Sequence, residues 1–133
     1  MQCDESGWPI IVVTLPARSL NDGEFLDSLN VLSDYTRRGR IGLVLDVRNC
    51  PLLSADRRRS IAERIDQDAK IHGYKCPVAI VLNSSIQVGL VQVLSWLAQT
   101  KPLISMFGNV DEARIWIRKM LEESSSRHRE DTA

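Results

Sequence analysis

Residues 76–100 read CPVAIVLNSSIQVGLVQVLSWLAQT, without one charged side chain, in a chain that is 26% charged. A stretch of that length free of charge belongs inside a fold rather than on its surface. Residues 78–82 are mostly β-branched, predicting a short strand covered on both faces. The polar turn Asn83-Ser84-Ser85 follows, and then an apolar helix over residues 86–99 with Ile86, Leu90, Val93, Leu94 and Leu97 in one broad stripe. Pro77 and the turn leave about a dozen helical residues, against the ~20 that a bilayer requires. The run is therefore a central strand and a covered helix.

The rest of the chain alternates in the same way. Residues 9–15 (PIIVVTL) and 41–47 (IGLVLDV) are continuous apolar runs that read as buried strands, and residues 103–107 as a last short one. Between them, residues 22–38 carry Phe25, Leu26, Leu29, Leu32 and Tyr35 at helical spacing, with Asn21 or Asp22 as cap and Gly39 as stop. Ser54 opens a second helix that places Ile61, Ala62, Ile65 and Ala69 on one face and ends at Gly73. Residues 110–122 form a final amphipathic helix using Val110, Ala113, Ile117 and Leu121. Strands separated by helices require crossover connections, so the expected fold is α/β. It has a four- to five-stranded, mostly parallel sheet with helices packed on it. Residues 9–122 make one domain, preceded by an extension over 1–8 and followed by a polar, disordered tail over 123–133.

Composition narrows the function classes. Seventeen basic and seventeen acidic residues cancel, which disfavours a nucleic-acid binder. Arginines do cluster at Arg37, Arg38 and Arg40 and again at Arg57, Arg58 and Arg59. Three cysteines without CxxC spacing suit neither a disulfide framework nor zinc and fit a reducing compartment. The opening MQCDESGW has acids where a secretion signal needs basic and then apolar residues, so a cytoplasmic protein is expected. With two histidines and no nucleophile beside a base, neither a metal, a cofactor nor catalysis is expected.

Two candidate sites remain. At the carboxyl ends of parallel strands, where sites gather in such folds, lie Asp46, Ser54 and Arg58. Asp46 ends an apolar strand, as a ligand-orienting carboxylate or as a turn acid bonded to the following loop. Ser54 sits where a helix N-terminus welcomes phosphate, or is a plain cap. Arg58 shares a stripe with Ile61, Ile65 and Ala69 and is placed to reach Asp46. The second candidate is the outer face of the helix over 86–99, where Val88, Val91, Gln92 and Ser95 replace the lysines and glutamates of a solvated helix. Such a face is covered by a partner, or by the chain's own ends, with Trp8 as a lid.

The turn into Leu20-Asn21-Asp22, the run LVLDVRNCPLLSADRRR and the ending FGNVDEARIWI together resemble a STAS domain of the SpoIIAA-like type, related to lipid-binding Sec14 modules. The resemblance spans about Trp8 to Leu121. It implies a non-enzymatic protein-interaction module in a bacterial regulatory assembly, homodimeric or bound to a regulatory protein. The Sec14 relation implies a small apolar ligand or lipid as the alternative. In phosphorylatable relatives a serine follows the strand-ending aspartate within an Asp-Ser-Ser-Gly turn. Ser54 stands at about that place after Asp46, which adds a phosphorylation-switched antagonist as a further alternative, although the flanking Asp and Gly are missing.

Overall fold

A computed structural model describes residues 1–51, 54–74, 76–83 and 104–132. Five strands form one sheet in the order β1-β2-β3-β4-β5, namely Gln2–Asp4, Ile10–Thr14, Gly42–Asp46, Val78–Val81 and Ile104–Phe107. Strands β2 to β5 are mutually parallel, and β1 pairs antiparallel with β2. The described helices are α1 (Asp22–Arg37), α2 (Ala55–His72) and α3 (Val110–Thr132). The expected α/β class and mostly parallel sheet are observed. The helix expected over residues 86–99 lies outside the described residues.

The pleat explains why the strand sequences do not alternate in polarity. Ile11, Val13, Leu43, Val78 and Ile80 point to one face, where Tyr35 of α1 joins them. Ile10, Val12, Val44, Ala79 and Val81 point to the other, under Ala113 and Ile117 of α3. Both faces are covered, so successive side chains are all apolar. Helix α1 is started by Asn21, whose side chain accepts from the Glu24 N–H while Glu24 reaches back to the Asn21 N–H. Helix α2 begins at the Ser54 cap and ends at Gly73, whose left-handed backbone (φ 63°) suits glycine.

Three features depart from the sequence reading. The first eight residues, expected to be an extension, include β1, with Cys3 packed against the core and the Glu5 carboxylate accepting from the Tyr35 hydroxyl at 2.6 Å. A three-residue polar strand has no sequence signature; pairing with the edge of β2 creates it. Helix α3 continues to Thr132 through the stretch expected to be a disordered tail. Neither glycine nor proline follows residue 108 to stop it. Leu26, placed on the core stripe of α1, is 52% exposed, because Phe25, Leu29 and Leu32 define a stripe that leaves it at the margin.

Helix α3 approaches β3 closely at Gly42. A Cβ there would overlap Cγ2 of Ile117, which is fully buried. Gly42→Ala is expected to lower stability by about 1–3 kcal/mol through overpacking, read as a lower urea midpoint with unchanged slope.

Candidate functional site at the carboxyl edge of the sheet

Parallel pairing fixes where α1 and α2 begin. Each follows a strand and runs back along the sheet, so both N-termini stand at the carboxyl edge, α1 after β2 and α2 after β3. The two helices lie side by side and in step. Arg57 Nη2 donates to Asp22 Oδ1 at 3.2 Å, Arg64 Nη1 to Asn30 Oδ1 at 3.0 Å, and Ser33 Oγ to Asp68 Oδ2 at 2.8 Å. These are polar bonds along the ridge between the helices. Beneath them the packing is incomplete, because none of the described side chains of α2 is fully buried.

The result is a cavity of about 450 Å³ between α1, α2 and the ends of β2 and β3. Its walls are apolar: Val13, Leu15 and Leu45 from the strand side, Phe25, Leu29 and Leu32 from α1, and Ile61 from α2. Ser19, Leu20, Cys50 and Pro51 contribute from the loops, and Arg18, Asp22, Ser54 and Arg57 stand at the polar part of the lining. A second void of about 70 Å³ shares Leu29, Leu32, Leu45 and Ile61 with the first and reaches Val78 and Ile80. Both size and lining match those of small-molecule sites, which are mostly apolar with a few placed polar groups.

The two arginines of the rim differ. Arg18 grips Glu24 with two bonds of 2.9 and 2.6 Å. That guanidinium, together with the Asn21 N–H, holds the Glu24 carboxyl down at about 2. Arg57 lies over the Phe25 ring, its guanidinium carbon 4.9 Å from the ring centroid, with only 21% of its side chain exposed. Its ion-pair partner Asp22 is wholly exposed.

Of the residues singled out in the sequence, Ser54 lines the cavity and caps α2, its hydroxyl accepting from the Arg57 N–H at 3.3 Å. Asp46 does not join it. Its carboxylate is taken by Arg48, with Nε to Oδ1 at 2.9 Å and Nη2 to Oδ2 at 2.8 Å, and also accepts from the Arg48 N–H. Arg48, two residues away and held by the turn, is thus a partner of Asp46; the side chain of Arg58, the partner expected from the sequence, is not among those described. Val88, Val91, Gln92 and Ser95 lie outside the described residues. Trp8 is 45% exposed and stacks with Arg38, 5.1 Å from its ring centroid.

The structure also separates the two arginine clusters. Since Asp22 is level with Arg57, Arg37 stands about 22 Å further along, at 1.5 Å per helical residue. Arg37, Arg38 and Arg40 therefore occupy the amino edge, and Arg57 and Arg59 the carboxyl edge. Sequence reading missed Arg57 and Cys50. The spacing Arg57, Ile61, Ile65 was available as a signal, since it also follows the helical repeat. Cys50 had no signal, because only the fold brings its loop against α1.

No family model, curated protein or solved structure matches this chain. Among the described residues no cluster of histidine, cysteine, aspartate and glutamate is arranged to hold a metal, and no helix is long and apolar enough to cross a membrane.

Two outcomes test this geometry. Ser54→Ala should cost about 1 kcal/mol as loss of a cap, measured by chemical denaturation. The Arg48 guanidinium holds the Asp46 carboxyl below the usual range. Its stabilisation is then complete above about pH 4, the ordinary range of an unfolded aspartate, and fades as pH falls through the lower folded value. Asp46→Asn should lose up to about 1 kcal/mol at pH 7 and show a shallower acid-side decline in melting temperature.

Proposed function

We propose that this chain is a non-enzymatic, SpoIIAA-like binding module whose carboxyl-edge cavity takes a small apolar ligand. The apolar cavity of about 450 Å³ between α1 and α2 carries this reading. None of the described side chains of α2 is fully buried, and Leu15, Phe25, Leu32 and Leu45 around the cavity stay partly exposed. Filling that space with hydrocarbon removes the surface from water and restores the dispersion contacts a void forfeits.

Binding fits the lining better than catalysis does. Cys50 is the one thiol on the wall, and burial pushes its pKa up, away from the thiolate that a nucleophile needs. His72 lies in the last turn of α2, at the opposite edge of the sheet. The reading as a homodimeric or regulator-bound assembly rests on Val88, Val91, Gln92 and Ser95, outside the described residues. The ligand reading has geometry behind it.

Straight-chain alcohols provide the test, followed by isothermal titration calorimetry on the whole chain. Decan-1-ol should bind with one-to-one saturation. Octan-1-ol should bind roughly tenfold more weakly, since two methylenes at about 0.8 kcal/mol each are lost. Ile61→Trp should fill the cavity and abolish binding at unchanged melting temperature. Non-saturating uptake, or equal binding by the Ile61→Trp protein, would overturn the proposal.

A further inference from the structure

Resting on the reading of this cavity as a ligand site, we infer that its ligand is a single-chain amphiphile with an anionic head, held by Arg57. Four observations converge on that residue. First, Arg57 lines the apolar cavity rather than projecting from α2, with 21% of its side chain exposed. Most of its side chain is thus screened from water, and its guanidinium at the rim is of a kind that pairs with a carboxylate or phosphate.

Second, its described ion pair is a weak one. Asp22 meets it through a single bond at 3.2 Å, and that carboxylate is entirely exposed, so water screens most of the attraction. The contrast with Arg18 is internal to the same rim. Arg18 is matched to Glu24 by a bidentate pair and has little to offer an incoming anion. Third, the guanidinium is already positioned. Phe25 supports it at 4.9 Å, and the Phe25 ring is itself part of the cavity wall. A head group arriving there displaces an exposed side chain and demands no rearrangement of the arginine.

Fourth, Arg57 stands in the first turn of α2, beside the Ser54 cap that lines the same cavity. The N–H groups and dipole of that turn add to the field of the guanidinium. The apolar wall gives the hydrocarbon tail its place. Leu29, Leu32, Leu45 and Ile61 border both the cavity and the second void, so the tail runs from Arg57 toward Val78 and Ile80. Head and tail thus find opposite chemistries in the rim and the wall.

The probes are decanoate, decyl phosphate and decan-1-ol, titrated calorimetrically into the full chain at pH 7.5, below their self-association concentrations. The expected result is that at least one anion binds ten times or more tighter than the alcohol, and which anion does so names the head group. Arg57→Gln should erase that preference, bringing anion affinity down to that of decan-1-ol. Arg57→Lys should keep part of it. Asp22→Asn, which removes the competing carboxylate, should tighten anion binding two- to fivefold. Equal affinity of anions and alcohol for the wild-type chain would overturn the role of Arg57 while leaving the apolar cavity standing. A parallel loss of alcohol and anion binding in Arg57→Gln would assign the residue to packing and overturn it too. Binding of none of the three would overturn the cavity reading beneath it. Circular dichroism of each variant confirms the fold, and Asp22→Asn decides the question if Arg57→Gln does not fold.

Discussion

Everything in this molecule depends on the parallel pairing of β2, β3, β4 and β5. A parallel neighbour cannot be reached by a tight turn, so a helix carries the chain back from β2 to β3 and from β3 to β4. That single demand makes α1 and α2 run the same way, in step, with their N-termini at one edge. It buries both faces of the central strands and removes charge from them. It also sends the arginines of the two helix ends to opposite poles, although the sequence writes both clusters as similar basic runs.

The two faces of the sheet are packed to different standards. On one, α3 seats Ala113 and Ile117 so tightly that β3 must carry glycine at Gly42. On the other, α1 supplies Leu29 and Tyr35 to the core, while α2 supplies no fully buried side chain among those described. Helix α2 instead meets α1 through Asn30, Ser33, Arg64 and Asp68, which fix the spacing of the helices by hydrogen bonds. Polar bonds on a ridge hold two helices at a set distance, whereas interlocking apolar side chains would draw them down onto the sheet. The cavity is the consequence of that choice.

The rim shows how similar residues acquire different roles from their surroundings. Arg18, Arg48 and Arg57 all stand near the carboxyl edge. Arg18 and Arg48 are matched bidentately by Glu24 and Asp46, and their charges are spent on the turns they brace. Arg57 is set against an aromatic ring, lines the cavity and has a solvent-exposed partner. Asp46, the most conspicuous acid in the sequence, is by the same logic part of a turn.

By itself the sequence determined the α/β class, the four parallel strands, the helices that became α1, α2 and α3, and the caps Ser54 and Gly73, while it left the α1 cap open between Asn21 and Asp22. These are legible because periodicity and capping depend on residues close together in the chain. Tertiary structure alone decided the strand formed by Gln2–Asp4, which exists only through pairing with β2, and the exposure of Leu26. It alone decided the pairing of Asp46 with Arg48, and the cavity with Arg57 at its mouth. A void is a property of how far apart two helices stand, and a charge without a strong partner is a property of what surrounds it. Neither is written in any local pattern of residues, because both arise from side chains brought together across more than thirty positions of the chain.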